Sequence, residues 1–335
     1  MLSVLIITYN GGQHLGPCLS ALEVQTLPRH AFEVIVLDNA SNDGSEQLVR
    51  SRYPWCKYVR SQVNLGFAGG NNLAARYAQG DSLVLLNNDT LPDPHWLAEM
   101  ARTIERHPGA AVASKLVLMS DPAVLNSTGL FLLRDGRGAD RGFRQRDDGR
   151  YEVEEPVFAG CAAAVALPAP SKGESIFDPN YFMYCEDLDE AWRAMLRGRE
   201  TYYAPRAVVR HAVGASAGDS SPLFWFYVER NRALTAVKNG DAFLAIWSSL
   251  GLFFRVGRAV LLGILGHPHP KYRRPIVTSV VQAAGSFLLR LPAALVTRYD
   301  TLLANPAHKG HGCQYQKPNG PCGPGSPRMS RSTRE

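Results

Sequence analysis

The apolar run Ser82-Leu83-Val84-Leu85-Leu86 stops abruptly at Asn87-Asn88-Asp89-Thr90, and this junction constrains the fold more than any other stretch. A run without polar alternation reads as a strand buried on both faces. Its end places an amide pair and a carboxylate at the carboxyl edge of a sheet, where open α/β folds bind ligands and hard cations. Asn and Asp also end strands by favouring turns, and Leu91-Pro92-Asp93-Pro94 is turn-rich, so the junction alone leaves both readings open.

Two further junctions repeat the design. Phe32-Glu33-Val34-Ile35-Val36-Leu37 runs into Asp38-Asn39-Ala40-Ser41-Asn42-Asp43-Gly44-Ser45, and Ser3-Val4-Leu5-Ile6-Ile7 into Thr8-Tyr9-Asn10-Gly11-Gly12. Helical spacing lies between them, as from Leu15 to Leu22 and from Ser45 to Arg50, so the first 90 residues read β-α-β-α-β-α-β. That alternation predicts an α/β fold with a parallel sheet covered on both faces and its polar strand ends gathered on one edge.

Length and a 45% hydrophobic content suit a globular enzyme. The positive charge belongs to one end: residues 241–335 hold 12 Lys+Arg against 3 Asp+Glu, leaving 24 against 27 for residues 1–240. Six cysteines at 18, 56, 161, 185, 313 and 322 have neither zinc spacing nor the density of a disulfide framework. The chain opens on a strand without a signal peptide, which predicts a reducing, cytoplasmic setting.

Five separated motifs agree in order and spacing: Thr8-Tyr9-Asn10, Asp38 to Ser45, Asn64-Leu65-Gly66-Phe67-Ala68-Gly69-Gly70-Asn71-Asn72, Leu86 to Thr90, and Tyr184-Cys185-Glu186-Asp187-Leu188-Asp189. Over roughly residues 2–240 the chain resembles family 2 glycosyltransferases, and most of all their bacterial rhamnosyltransferase branch. The resemblance implies a GT-A fold, with a Rossmann-like, mostly parallel central sheet and helices on both faces. It implies a nucleotide-sugar-binding half at 1–115 and an acceptor-binding, catalytic half at 116–240. Amphipathic helices at 241–304 and a disordered tail at 305–335 would follow.

In the implied site Thr8, Tyr9 and Asn10 offer groups to a base or ribose, and Asp38 accepts from a base imide or a ribose hydroxyl; a turn or cap role for Asp38 is the alternative. Asn64, Gly66, Gly70 and Asn71 form a close-approach segment, with a helix starting near Asn71 and aiming free N–H groups at phosphate or sugar. Many family members carry Arg where this chain has Gly70. Asn87 and Asn88 complete the donor site. Asp89 is the one carboxylate of the metal motif, so a divalent cation, Mn2+ or Mg2+, would need a second protein ligand. His211, in Val208-Val209-Arg210-His211-Ala212-Val213-Gly214-Ala215-Ser216, matches the family's V-x-H-x-x-G-x-S element and fits that role, a structural His being the alternative.

Glu186, Asp187, Asp189 and Glu190 crowd together before a helical pattern, where capping and solvation account for Asp189 and Glu190. The aromatic lead-in Tyr181 to Tyr184 would desolvate the first two acids, and the resemblance makes Asp187 the general base and Glu186 its neighbour. Arg230-Asn231-Arg232 is either a diphosphate clamp or a basic helix face. No Q-x-x-R-W element follows, so addition of one or a few sugars is expected.

Past residue 240, Ala242 to Phe254 and Ile276 to Thr297 are apolar but carry Arg255, Arg258 and Arg290 in or beside them. The first falls short of a span before its arginines, which suits helices lying on an anionic membrane. The alternative is a helical pair packed on the catalytic domain or on a second copy in a homo-oligomer. The reading is thus a cytoplasmic enzyme at the inner face of the plasma membrane, taking a nucleotide diphosphate sugar, best deoxythymidine diphosphate rhamnose, and a glycan or lipid-linked glycan acceptor, with no nucleic-acid partner. A sugar nucleotidyltransferase and a non-catalytic nucleotide-sugar or glycan binder are the rival classes.

Overall fold

The computed structural model describes residues 1–171, 173–212, 221–267 and 269–304. Gly214, Ser216 and the tail from 305 lie outside the described residues. The first third follows the expected alternation: β1 (Leu2–Thr8), α1 (Gly12–Glu23), β2 (Phe32–Asp38), α2 (Ser45–Arg52), β3 (Lys57–Arg60), α3 (Gly66–Ala75) and β4 (Ser82–Asn87). Next come β5 (Thr90–Pro92), α4 (Trp96–Arg106), β6 (Ala111–Leu118), β7 (Leu125–Ser127), β8 (Leu130–Leu132), β9 (Gly138–Asp140), β10 (Glu155–Val157) and β11 (Ala164–Pro168). The last elements are α5 (Glu186–Leu196), β12 (Thr201–His211), α6 (Pro222–Asn239), α7 (Ala242–Ile264) and α8 (Arg274–Ala304).

Ten strands form one sheet in the order β10-β12-β6-β11-β4-β1-β2-β3, with β5 added on β12 and β7 on β6. The β4-β1-β2-β3 half is parallel and doubly wound, as the α-helical crossovers require. Beyond β4 the sheet is mixed, because β11 runs antiparallel to both β4 and β6. The domain boundary expected after residue 115 falls inside β6, so one continuous sheet carries both halves.

The unbroken apolar strands are explained by what covers them. Val4, Ile6, Val34, Val36, Val84 and Leu86 face α1, α2 and α4 through Leu15, Leu19, Val49, Trp96 and Met100. The alternate residues Leu5, Ile35, Leu37, Leu83 and Leu85 pack against Ala68 and Ala74 of α3. Both faces are therefore dry, and the polar groups are left at the strand ends.

The C-terminal helices pack on the catalytic unit. Leu252 of α7 and Ala284, Phe287 and Ala294 of α8 share a core with Ala233, Leu234 and Val237 of α6. Helix α7 runs through Arg255 and Arg258 to Ile264, so it is longer than its first apolar stretch. Both helices are long and apolar enough to cross a membrane by length and composition. Of the arginines singled out in the sequence, Arg255 pairs with Glu229 and Arg290 donates to Ser286 of its own helix; Arg298, not singled out, donates to the carbonyls of Val237 and Gly240 at the end of α6. Phe287 is 1% exposed; Phe287→Ala is expected to cost about 3–4 kcal/mol in urea unfolding of the whole chain. A value near zero would show that α8 is not part of the cooperative fold.

Candidate functional site

The carboxyl ends of β1, β2 and β4 meet. Thr8 is buried, and its Oγ1 accepts from Asn88 Nδ2 at 3.1 Å, joining β1 to the end of β4. A Cβ at Gly11 would stand 2.1 Å from that nitrogen, so the bare backbone lets Asn88 cross. Asn10 is left-handed, with φ 50°. Its amide donates to Ser41 Oγ and its Oδ1 accepts from the Asn42 amide, interlocking the loops after β1 and β2. Tyr9 stands beside them 54% exposed. Asn87 closes β4, its amide donating to the Ala163 carbonyl.

Asp38 is fully buried, and protein donors occupy both its oxygens. Its Oδ1 accepts from the Ser41 amide at 2.7 Å; its Oδ2 accepts from the Tyr58 hydroxyl at 2.5 Å and Arg60 Nη1 at 2.9 Å. The turn role left open in the sequence is thus present, and the carboxylate expected to accept from a base or ribose is already paired with protein donors. Burial and the adjoining Asp38 push the Tyr58 phenol well above its ordinary value, which keeps it a donor.

The glycine segment also differs from expectation. Helix α3 begins at Gly66, not near Asn71, and its Ala68 amide donates to the Phe182 carbonyl instead of standing free. Gly66, with φ 70°, would place a Cβ 2.4 Å from that oxygen, so only glycine allows the approach. A Cβ on Gly70 would meet Ile7 Cγ2 at 2.9 Å and Asn39 Nδ2 at 3.0 Å, which places Gly70 against the sheet. Asn71 is buried and bonds its own helix at Phe67; Asn64 caps the turn by accepting from the Gly66 amide. These residues shape the segment through contacts within it and with the sheet.

Asp89 and His211, distant in sequence, are brought together by strand pairing: β5 runs antiparallel to β12 with Thr90 opposite His211. His211 Nε2 lies 3.5 Å from Asp89 Oδ1, and its Nδ1 is 2.7 Å from Asn126 Oδ1. Asn126 thereby fixes the ring, as a metal-bound histidine needs. Asp89 Oδ1 is buried with no hydrogen-bond partner among the described residues. An orphaned carboxylate oxygen beside an oriented imidazole fits a divalent cation, although no group of three or more His, Cys, Asp and Glu converges among the described residues.

Glu186 and Asp187 open α5 at the end of a strained approach. Phe182, Tyr184 and Cys185 all have φ between 64° and 67°, a conformation that costs on the order of 1–3 kcal/mol each outside glycine. Arg230 and Asn231 hold it. Arg230 Nη2 donates to the carbonyls of Asn180 and Tyr181, and Asn231 Nδ2 reaches those of Tyr181, Met183 and Tyr184 at 2.7–3.0 Å. Both side chains are buried, so the diphosphate-clamp expectation is corrected: they brace the loop that aims the acids.

Burial raises the carboxyls of both Glu186 and Asp187 above their ordinary range, with the Asp187 charge adding to the rise at Glu186. Asp187 accepts from the Leu188 amide at 2.8 Å and the Ala162 amide at 3.5 Å, while Glu186 Oε2 has no partner among the described residues. The amides favour the ionised form of Asp187, and burial beside that charge favours the protonated form of Glu186. Asp189 and Glu190 are structural: Asp189 bonds Tyr181, Arg193, Lys238 and Asn239, and Glu190 pairs with Arg199.

The sequence reading missed Arg60, Asn126 and Asp140. Arg60 ends a short strand next to β2, a placement that strand order alone reveals. Asn126 and Asp140 lie in short elements with no motif around them.

Two outcomes follow. Asn231→Ala removes one donor from each of three carbonyls, of which Tyr181 keeps Arg230, and is expected to destabilise the protein by about 3 kcal/mol; turnover should fall more than nucleotide affinity. Glu186→Gln should raise Tm at about pH 8, since a raised folded-state carboxyl loses stability as pH climbs through its folded value. That gain should vanish near pH 4, where the unfolded group is protonated too; a gain unchanged between the two pH values would contradict the burial argument.

Residues 3–164 match the family model described as Glycosyl transferase family 2. An N-acetylglucosaminyl-diphospho-decaprenol L-rhamnosyltransferase of Mycobacterium tuberculosis is 28% identical over 65% of this chain and 78% of its own length. Among solved structures, Staphylococcus aureus TarS 1-349 in complex with UDP is 19% identical, with TM-score 0.52 over 86% of this chain and 91% of that one. GalNAc-T7 with UDP, GalNAc and Mn2+ is 13% identical, with TM-score 0.59 over 89% of this chain and 58% of that one. The paired acids at the head of α5, the polar edge of the parallel strands and these likenesses lead to one conclusion: the chain is a glycosyltransferase that carries a family 2 domain over residues 3–164 and has the GT-A fold.

Proposed function

We propose that the enzyme transfers one sugar, with inversion, from a nucleoside diphosphate sugar to a hydroxyl of a lipid-linked or cell-surface glycan. The observation that carries this reading is the Glu186–Asp187 pair, desolvated at the head of α5 and aimed by a braced loop. Asp187 takes the proton of the acceptor hydroxyl. The oxygen then bonds to the anomeric carbon from the face opposite the diphosphate, and the anomeric C–O bond breaks with its electron pair leaving on the diphosphate. Glu186, which holds its proton, keeps a second negative charge away from the base. A divalent cation, Mn2+ or Mg2+, at Asp89 and His211 would neutralise charge on the leaving diphosphate; GalNAc-T7 was solved with Mn2+. Tyr9, Asn10, Thr8 and Asn88 line the edge assigned to the nucleotide, beside the Asp38–Arg60 ion pair.

Rhamnose from deoxythymidine diphosphate rhamnose is the donor we favour, on the likeness to the mycobacterial rhamnosyltransferase, whose printed acceptor is a polyprenyl diphosphate sugar. Such an acceptor also fits the exposed apolar surface of Phe243, Ile246, Trp247, Leu250 and Phe254 on α7, which we assign to an anionic membrane surface at the cytoplasmic face.

Release of nucleoside diphosphate on adding acceptor tests the reaction, whereas release of pyrophosphate would mark a nucleotidyltransferase. Asp187→Asn is expected to lower kcat by about 10³-fold with donor affinity nearly intact. His211→Ala is expected to abolish the stimulation of nucleotide binding by Mn2+, measured by calorimetry. Retained turnover in the first variant would sink the assignment of the base, and unchanged metal stimulation in the second would remove His211 from the cation site.

A further inference from the structure

A third carboxylate, outside every motif, faces the same space. Asp140 ends β9, and its Oδ1 is buried with no hydrogen-bond partner among the described residues. The β8–β9 hairpin sets its direction. Gly138 lies on the same face of β9 two residues earlier, and a Cβ there would stand 3.2 Å from Leu188 Cδ1, next to Asp187. Across the hairpin Asp140 is in register with Leu130, which bridges to Ala159; from there the chain passes through Gly160 and Cys161 to the Ala162 amide that faces Asp187.

On its other side Asp140 adjoins the Ser127 hydroxyl, one residue from the Asn126 that holds His211. Asp187 and His211 are both close enough to act on its charge. The adjacent cation is turned away, since Arg141 pairs with Glu155 and bonds Thr128. Burial raises the Asp140 carboxyl to about 6, with the Asp187 charge adding to the rise, so at neutral pH it is mostly an anion facing inward. The Ser127 hydroxyl serves one oxygen of this carboxylate, and leaving the other, Oδ1, buried without a donor is costly unless a ligand supplies one.

We propose that Asp140 grips the transferred sugar: its free Oδ1 accepts hydrogen bonds from ring hydroxyls of the donor, forming a subsite between the diphosphate end at Asp89–His211 and the base Asp187. The assignment rests on the transferase reading and deepens it. A carboxylate in this place prefers a sugar with a free hydroxyl, or an adjacent pair, on the face turned to the hairpin, and discriminates against the deoxygenated or O-methylated form.

The test compares the full-length wild type with Asp140→Asn by calorimetry in the presence of Mn2+, using thymidine diphosphate and thymidine diphosphate rhamnose. If the wild type turns over a uridine diphosphate sugar instead, UDP and that sugar replace them. Affinity for the bare nucleotide should stay within about twofold, while affinity for the nucleotide sugar and kcat/KM should fall about 10- to 100-fold. On wild-type enzyme, one of the monodeoxy donors should lose a similar factor, and that loss should not add to the loss in Asp140→Asn.

An unchanged ratio of nucleotide-sugar to nucleotide affinity in the variant, with active wild type, overturns the subsite and leaves the transferase reading standing. If the variant does not fold, the monodeoxy series on the wild type decides, and no loss with any of them overturns it. A wild type that releases no nucleoside diphosphate overturns the transferase reading and this subsite with it.

Discussion

The buried carboxylate of Asp189 is the interaction on which the catalytic half depends. It is removed from solvent and would be untenable alone, but Lys238 at 2.8 Å and Arg193 at 3.0 Å neutralise it, and the Tyr181 hydroxyl and Asn239 Nδ2 satisfy its other oxygen. The two cations win against burial, so the acid stays below its ordinary range. One side chain thus ties α5 to α6 and, through Tyr181, to the loop that precedes α5. Everything near the reaction inherits its position from that tie: the left-handed turns at Phe182 and Cys185, the carbonyls grasped by Asn231, and the acids at 186 and 187.

The same loop reaches across to α3, on the parallel half of the sheet. The Phe182 carbonyl accepts from Ala68 at the start of α3, and Gly66 is bare because a Cβ would collide with it. Gly66 therefore serves a contact within the chain, between the start of α3 and the loop before α5. Helix α6 passes the restraint on to α7 and α8, whose arginines cap and pair with it. Those helices are part of the fold on one side and expose an apolar surface on the other, with Phe254 72% and Leu289 82% exposed.

Neighbouring acids in one short segment have opposite fates, decided by which cations reach them. Asp189 is paired and lies low; Glu186 and Asp187 are desolvated without a cation and lie high. A carboxyl held high and supported by two amides is suited to proton transfer, whereas one held low by two cations is suited to structure. The separation follows helical geometry: Asp189 is one turn from Arg193 on the face toward α6, and Glu186 and Asp187 precede that face.

Much of this was legible in the chain itself. Apolar runs without alternation at 3–7, 32–37 and 82–86 determined a doubly covered parallel half-sheet, because only such a sheet buries both faces of a strand. The polar residues that end them gather on one edge of the sheet, and four acids after an aromatic lead-in marked the head of α5. What tertiary structure alone decided is which polar groups remain free. Asp38 is occupied by Arg60, Arg230 and Asn231 by loop carbonyls, and the α3 amide by Phe182, while Asp89 is joined to His211 by the β5–β12 register. No motif encodes these pairings, since each depends on a partner far along the chain; hydrogen bonds are short-ranged, and only the folded sheet brings those partners within reach.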